Sequence, residues 1–276
     1  MSTTTAPSTD SRIKSHERGG DRTMSTISAP LTDARIMLRR NLKHILRNPV
    51  TIFNGVLMPV VLMLLLVYVF GGAFNVGEHY VQYATPGLML LAITYGLSGT
   101  AVSVSSDMTK GIINRFKVMN VSRGAVLTGH VAANLVSSAV AIAVIIGMAF
   151  ALGFRSPASG LEWLAAIGIA LAAAFAAAWL TVALGIFAKT PESAGLTVVP
   201  LILLPFVSSA VAPAAKMGEG VRQFAQFQPF TPIIESLRGL LDGHPSGGYA
   251  AAALAWCAGI ALVGYLWSRA TFIKRA

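Results

Sequence analysis

Apolar residues in this chain come in long runs rather than in alternation. Six stretches, at about 50–70, 83–104, 125–152, 161–188, 194–212 and 249–267, are predominantly apolar. Each is close to the 20 or so residues that a helix rising 1.5 Å per residue needs to cross the bilayer core. The fourth is alanine-rich (IALAAAFAAAWL), and small residues let helices approach closely in lipid. Two further segments carry a helical period without being spans. In 31–48, Leu31, Ala34, Leu38, Leu42 and Ile45 share a face, with Arg35, Arg39, Arg40, Lys43 and Arg47 on the flank and back. That pattern predicts a basic amphipathic helix lying on a membrane surface, before Pro49 turns the chain into the first span. In QPFTPIIESLRGLLDG, Ile233, Ile234, Leu237, Leu240 and Leu241 form a stripe. Thr231 is the expected N-cap, Pro232 the first helical residue and Gly243 the stop. Glu235 and Arg238 are spaced i,i+3 for pairing, and the stripe is expected to dip into the outer leaflet.

These elements predict an all-α polytopic membrane protein. It has six transmembrane helices, an N-terminal amphipathic interfacial helix and a short external amphipathic helix before the last span. Residues 1–30, rich in Ser, Thr, Pro and charge, form an expected disordered polar tail ahead of one transmembrane domain at 31–276. Met24 is a second plausible start. Composition agrees: the 276 residues are 54% hydrophobic and only 12% charged, against about 25% in an average soluble domain. The single cysteine, Cys257, sits in an apolar run, so no disulfide forms within the chain.

The net charge of +10 raises the question of nucleic acid, and its distribution answers it. With the N-terminus in the cytosol, 17 of the 21 Lys and Arg residues fall in inside segments; the acids divide six inside and five outside. A basic excess on the cytosolic side is the orienting signal of membrane proteins. Both termini are therefore expected in the cytoplasm, and no nucleic-acid partner is implied.

Residues 107–124, DMTKGIINRFKVMNVSRG, lie between the second and third stretches. They carry Lys110, Arg115, Lys117 and Arg123 against Asp107. Burying five charges near the bilayer centre would cost about 12–17 kcal/mol at 2.5–3.5 kcal/mol each. The segment is thus a cytosolic loop. Ile112, Ile113, Phe116 and Met119 nevertheless fall near one helical face, a pattern suited to an apolar groove with an acidic rim on a partner.

The chemistry absent from the sequence narrows the class further. There is no G-x-x-x-x-G-K-[ST] phosphate loop, and no H-E-x-x-H, G-x-S-x-G or C-x-x-C. The five histidines show no metal-ligand spacing. Glu162 and Glu192 sit at span ends, and only His130, read as a satisfied or snorkelling residue, lies deeper. Ion-coupled secondary transporters keep such groups at mid-membrane, so that alternative is disfavoured. The chain is expected not to be an enzyme by itself.

In their order and spacing, YATPGLMLLAITYG at 83–96, DMTKGIINRFKVMNVSRGAVLTGHVAANL and QPFTPIIESLRGLLDG resemble the ABC-2 type permease family. The resemblance spans about residues 31–276 and points to its daunorubicin/doxorubicin-resistance exporter branch. It implies a permease subunit of an ABC exporter in a bacterial cell membrane. The permease would move a hydrophobic substrate (drug, antibiotic or lipid-like) outward, working as a dimer with a second permease copy or paralogue. A separate ABC ATPase subunit would bind ATP and Mg, and this chain would hold no cofactor or metal. The resemblance further implies that the loop is the ATPase-coupling element, carried by Asp107, Lys110, Gly111, Ile112, Ile113, Arg115, Phe116 and Met119. The family's usual acidic residue beside the glycine and its following proline are missing here. The family's proline-, Glu- and Arg-bearing element before the last span falls on Pro229, Pro232, Glu235 and Arg238, where relatives place a re-entrant external helical hairpin.

Overall fold

A computed structural model describes residues 53–70, 80–109, 123–213 and 217–275. The polar tail, the interfacial helix expected at 31–48 and the loop residues 110–122 lie outside the described residues. All regular structure among the described residues is helical. In chain order the elements are α1 (Met58–Leu65, flanked by π-helical turns Phe53–Leu57 and Leu66–Phe70), α2 (Tyr80–Thr109), α3 (Arg123–Ala151) and α4 (Gly160–Phe187). They continue with α5 (Pro191–Thr197), α6 (Val199–Leu203) running into a 3₁₀ turn Leu204–Val207, α7 (Glu219–Phe227), α8 (Phe230–Leu241) and α9 (Gly247–Arg275). Four of them, α2, α3, α4 and α9, are long and apolar enough to cross a membrane. The stretches expected at 50–70 and 194–212 appear as shorter apolar helices, Gly55–Val69 and Pro191–Val207.

The second of these is broken for a chemical reason. Pro200 and Pro205 have no N–H to donate four residues back, so the segment is cut at Val198 and again after Leu203. Ser208 then leaves helical geometry altogether, at φ −110° and ψ −172°. Pro86, inside α2, breaks nothing, as membrane helices often tolerate where neighbours hold the chain. Two starts carry reciprocal capping. Ser159 and Glu162 exchange bonds at α4 (2.6 and 3.4 Å), and Thr190 and Ser193 do so at α5 (3.1 and 3.2 Å).

α2 is the central rod. It touches α1, α3, α4, α5, α6 and α8, and Leu88, Met89, Leu90, Leu91, Ala92 and Ile93 are all buried in succession. An apolar residue leaving lipid for protein loses no water, so packing and close approach hold this bundle together. The alanine-rich stretch of α4 is an interface: Ala166, Ala170, Ala173, Ala174 and Ala178 are buried. Gly185 lets α4 meet α2, where a Cβ would sit 2.9 Å from the Ala101 carbonyl oxygen. Gly264 does the same for α9 on α4, where a Cβ would lie 2.6 Å from Leu180 N.

The packing gives the bundle two ends. The start of α2, the 152–159 turn, residues 207–211 and α8 are tied together at one end by Gln82–Arg155, Ser156–Leu241 and Tyr80–Val211 hydrogen bonds. At the other end, Val104, Leu127, Ile186 and Phe272 share one apolar cluster. That end holds the finish of α2, the start of α3 and the finishes of α4 and α9.

α8 corrects two expectations. Thr231 is not its N-cap, because the helix starts one residue after Pro229 and has no side-chain cap. Its stripe is not free to enter a leaflet either: Ile233, Ile234, Leu237, Leu240 and Leu241 are buried against α2, α4 and α9. The stop lies where expected. Gly243 adopts φ +69°, His244 N donates to Gly239 O (2.8 Å) and Gly243 N to Leu240 O (3.3 Å), the paired bonds of a Schellman ending.

Candidate functional site

Polar groups buried between apolar helices concentrate at two places. The first is the seam between α2 and α3. His130, Asn134 and Ser138 follow one another at i, i+4 and i+8, so they share one face of α3, and all three are buried. His130 Nε2 lies 3.2 Å from Asp107 Oδ2, in the last turns of α2. Asn134 Nδ2 donates to Thr100 Oγ1 at 2.8 Å, and Ser138 Oγ reaches Asn134 Oδ1 at 3.5 Å. A mismatch in register would leave these groups unpaired in a dry seam, so they fix how α2 and α3 sit against each other. Asp107 is the one residue of the expected coupling element within the described structure. Lys110, Gly111, Ile112, Ile113, Arg115, Phe116 and Met119 lie outside it. The His130–Asp107 pair therefore stands where the chain enters and leaves that loop.

The second place is the unwound segment after Leu204–Val207. Where a helix ends, carbonyl oxygens lose their N–H partners and need others. Here alternate carbonyls are captured by side chains from elsewhere. Gln228 Nε2 donates to Val207 O (2.8 Å), Tyr83 Oη and Arg238 Nη2 to Ser209 O (both 2.9 Å), and Tyr80 Oη to Val211 O (3.0 Å). Thr231 Oγ1, freed from capping, accepts from Ser209 N at 3.4 Å. Gly87 makes room for the segment, since a Cβ there would fall 2.5 Å from Ala210 Cα.

Arg238 is the hub of this region. Its guanidinium lies 3.9 Å from the Tyr83 ring centroid, pairs with Glu235 Oε1 at 2.5 Å and also donates to Tyr83 O at 3.3 Å. The planar fork suits simultaneous stacking and hydrogen bonding in a way that an ammonium does not. Of the four residues expected on this element, Glu235 and Arg238 form the pair, Pro229 occupies the N-cap position and Pro232 is buried in the first turn of α8. Below the hub, Asp242 caps the helix, and burial raises its carboxyl above the usual aspartate range despite the nearby Arg238 and His244.

Sequence reasoning missed the polar face of α3 and the capture of the unwound carbonyls. The first had a signal, the i, i+4, i+8 spacing of His130, Asn134 and Ser138. The second had only a partial one: Pro200 and Pro205 announce a break, and Tyr80 and Tyr83 offer two phenols on one helical face.

A helical bundle with four apolar helices of membrane-crossing length, fixed by polar ties at both ends, defines a polytopic membrane protein. The family model of the ABC-2 type transporter matches residues 32–241. The chain belongs to that family and is a membrane permease by class. Among curated proteins, it is 28% identical over 217 residues to the daunorubicin resistance ABC transporter permease protein DrrB1 of Streptomyces coeruleorubidus, covering 78% of this chain and 76% of that one. It is also 28% identical over 222 residues, 79% of each chain, to the probable doxorubicin resistance ABC transporter permease protein DrrC of Mycobacterium tuberculosis.

Proposed function

We propose that this chain is the membrane-spanning subunit of an ABC exporter, with six spans and both termini in the cytoplasm of a bacterial cell. Paired with a second copy or a paralogue, it moves a hydrophobic substrate outward, and a separate ATPase subunit docking on residues 107–124 supplies the energy. Two relatives named for daunorubicin and doxorubicin resistance support a drug or antibiotic as that substrate. The observation that carries the reading is the division of charge. Seventeen of 21 cationic residues fall in segments that the topology assigns to the inside, and four of them crowd into the one loop with an apolar face. No phosphate loop occurs within these 276 residues, which supports a motor carried by a partner subunit.

The route for the motion begins at the loop. Docked Ile113 and Phe116 would move with the ATPase, and the Asp107–His130 pair joins the two helices that flank them. Because Asn134 and Thr100 hold the same helices one and two turns further along, α2 and α3 would respond as a unit. The test is the double substitution Ile113→Asp, Phe116→Asp in the complex purified from its native membrane. Substrate-stimulated ATP turnover should be lost while membrane insertion is unchanged. Turnover at the parental level would overturn the role given to this loop.

A further inference from the structure

Among the described residues, six buried side-chain atoms find no hydrogen-bond partner: Ser105 Oγ, Thr181 Oγ1, Ser209 Oγ, Gln228 Oε1, Ser236 Oγ and Arg238 Nε. A sealed polar atom left alone costs free energy, so each calls for an answer. Ser105, Thr181 and Ser236 stand inside helices, where a hydroxyl can turn and donate to a carbonyl three or four residues back. The other three have no such recourse. Ser209 lies beyond the last helical turn, and the Pro205 carbonyl four residues back is already taken by the Ser208 N–H and hydroxyl. Gln228 cannot flip its amide, because the Val207 carbonyl accepts only from the Nε2 end. Arg238 has committed Nη1 to Glu235 and Nη2 to Ser209 O and Tyr83 O. These three residues also adjoin one another. Arg238 Nη2 is 2.9 Å from Ser209 O, and Gln228 Nε2 is 2.8 Å from Val207 O, two residues earlier. Thr231 Oγ1, three residues after Gln228, is 3.4 Å from Ser209 N. Ser209 is 1% exposed and Gln228 5%, so bulk solvent does not serve them.

We propose that Ser209 Oγ, Gln228 Oε1 and Arg238 Nε together bind one neutral hydroxyl, supplied by a water molecule or by an alcohol group of a transported compound. The donor set selects that chemistry. Arg238 Nε–H only donates, so the ligand accepts there; Gln228 Oε1 only accepts, so the ligand donates there; Ser209 Oγ does either. An ammonium or metal ion cannot accept from Arg238, and a halide or ionised acid cannot donate to Gln228. Arg238 already faces the Glu235 carboxylate, so no further countercharge is needed. Three partners is the usual complement of a buried water. Bound there, the hydroxyl ties the 207–211 segment to Gln228 and α8 through one exchangeable molecule. The water source stands on geometry alone; the compound source rests on the proposed export function.

The test uses the full chain purified from its native membrane into lipid nanodiscs. Parent and Ser209→Ala are compared by thermal unfolding. The parent structure is determined by electron cryomicroscopy at a resolution that shows ordered water, without added compound and with doxorubicin, the drug named with one relative. Alanine keeps most of the volume of serine and removes only the hydroxyl. Where Ser209 Oγ holds a ligand, Ser209→Ala loses a bond and melts a few degrees lower. An unanswered hydroxyl is instead a burden, so a melting temperature unchanged or raised would overturn the proposal. In the map, a density peak within hydrogen-bond distance of all three atoms is expected. An isolated peak without compound identifies water, and it supports the site whatever becomes of the exporter reading. A peak that appears only with doxorubicin and continues into its ring system identifies the compound. No peak in either sample would overturn the site.

Discussion

Arg238→Met tests the hub at the 207–211 segment. Methionine keeps most of the stem volume and removes the fork. Three hydrogen bonds go with it, to Glu235 Oε1 (2.5 Å), Ser209 O (2.9 Å) and Tyr83 O (3.3 Å), together with the contact to the Tyr83 ring. A hydrogen bond involving a charged group contributes about 1.5–3 kcal/mol, and a partly desolvated cation–π contact about 1 kcal/mol. The full sum does not apply. Ser209 O keeps the Tyr83 hydroxyl, the Tyr83 carbonyl bond is long, and Glu235 is 27% exposed, so water answers part of its loss. A cost of about 3 kcal/mol follows, at the low end for removing one partner of a buried pair. Adding Glu235→Gln should recover about 1 kcal/mol, because the carboxylate left without its partner is then gone. The assay is thermal unfolding of purified protein in detergent, followed by tryptophan fluorescence. A single variant within about 0.5 kcal/mol of the parent would refute the reasoning, as would a double variant less stable than the single.

Two further substitutions probe other parts of the fold. Gly264→Ala drives a Cβ to 2.6 Å from Leu180 N and 2.7 Å from the Trp179 carbonyl carbon, so α9 must shift off α4 at a cost of about 1–3 kcal/mol. Gly259→Ala, on the same helix but with nothing within 4 Å, should be neutral or slightly stabilising; equal effects at both sites would show that the close approach does not matter. Asp242→Asn addresses the raised carboxyl at the end of α8. A carboxyl whose folded pKa lies above its unfolded value stabilises most when protonated, and that contribution is lost as pH rises through the folded pKa. Asparagine should therefore raise the melting temperature at pH 7, with the advantage shrinking toward acid pH. A gain that grows with acidification would have the wrong sign and exclude burial as the cause.

Much of the bundle was readable because length and apolarity alone decide a membrane helix. The stretches expected at 83–104, 125–152, 161–188 and 249–267 appear as α2, α3, α4 and α9, each within a few residues except where a polar flank extends the helix, as Ser105–Thr109 extends α2. The stretch at 194–212 is apolar enough to be expected as a span, and its Pro200 and Pro205 can break a helix; it appears as short helices cut at those prolines, whose missing N–H groups act through geometry that hydropathy does not record. α8 failed in a different way. Its period was right, and its stop at Gly243 was right, but a stripe of Ile and Leu looks the same whether it faces lipid or other helices. Only the tertiary contacts distinguish the two.

The site divides along the same line. Glu235 and Arg238 were legible as an i,i+3 pair, whereas their connection to Tyr83, about 150 residues earlier, was not. Long-range polar ties in a membrane bundle arise because unwound backbone cannot be left bare in a dry interior. Once Pro205 and the extended Ser208 free the carbonyls of Val207, Ser209 and Val211, donors must come from whatever packs nearby, and here those are Gln228, Tyr83, Arg238 and Tyr80. The same logic, run in reverse, identifies α3. Three polar residues at i, i+4 and i+8 on an otherwise apolar span oblige a partner helix to answer them, and α2 does so with Thr100 and Asp107. A break in an apolar run and a polar face on a span are therefore both statements about a neighbour. In this chain α2 answers in both cases, alone on the α3 seam and together with Gln228 and Arg238 at the break, so the central rod carries Tyr80 and Tyr83 at one end and Asp107 at the other.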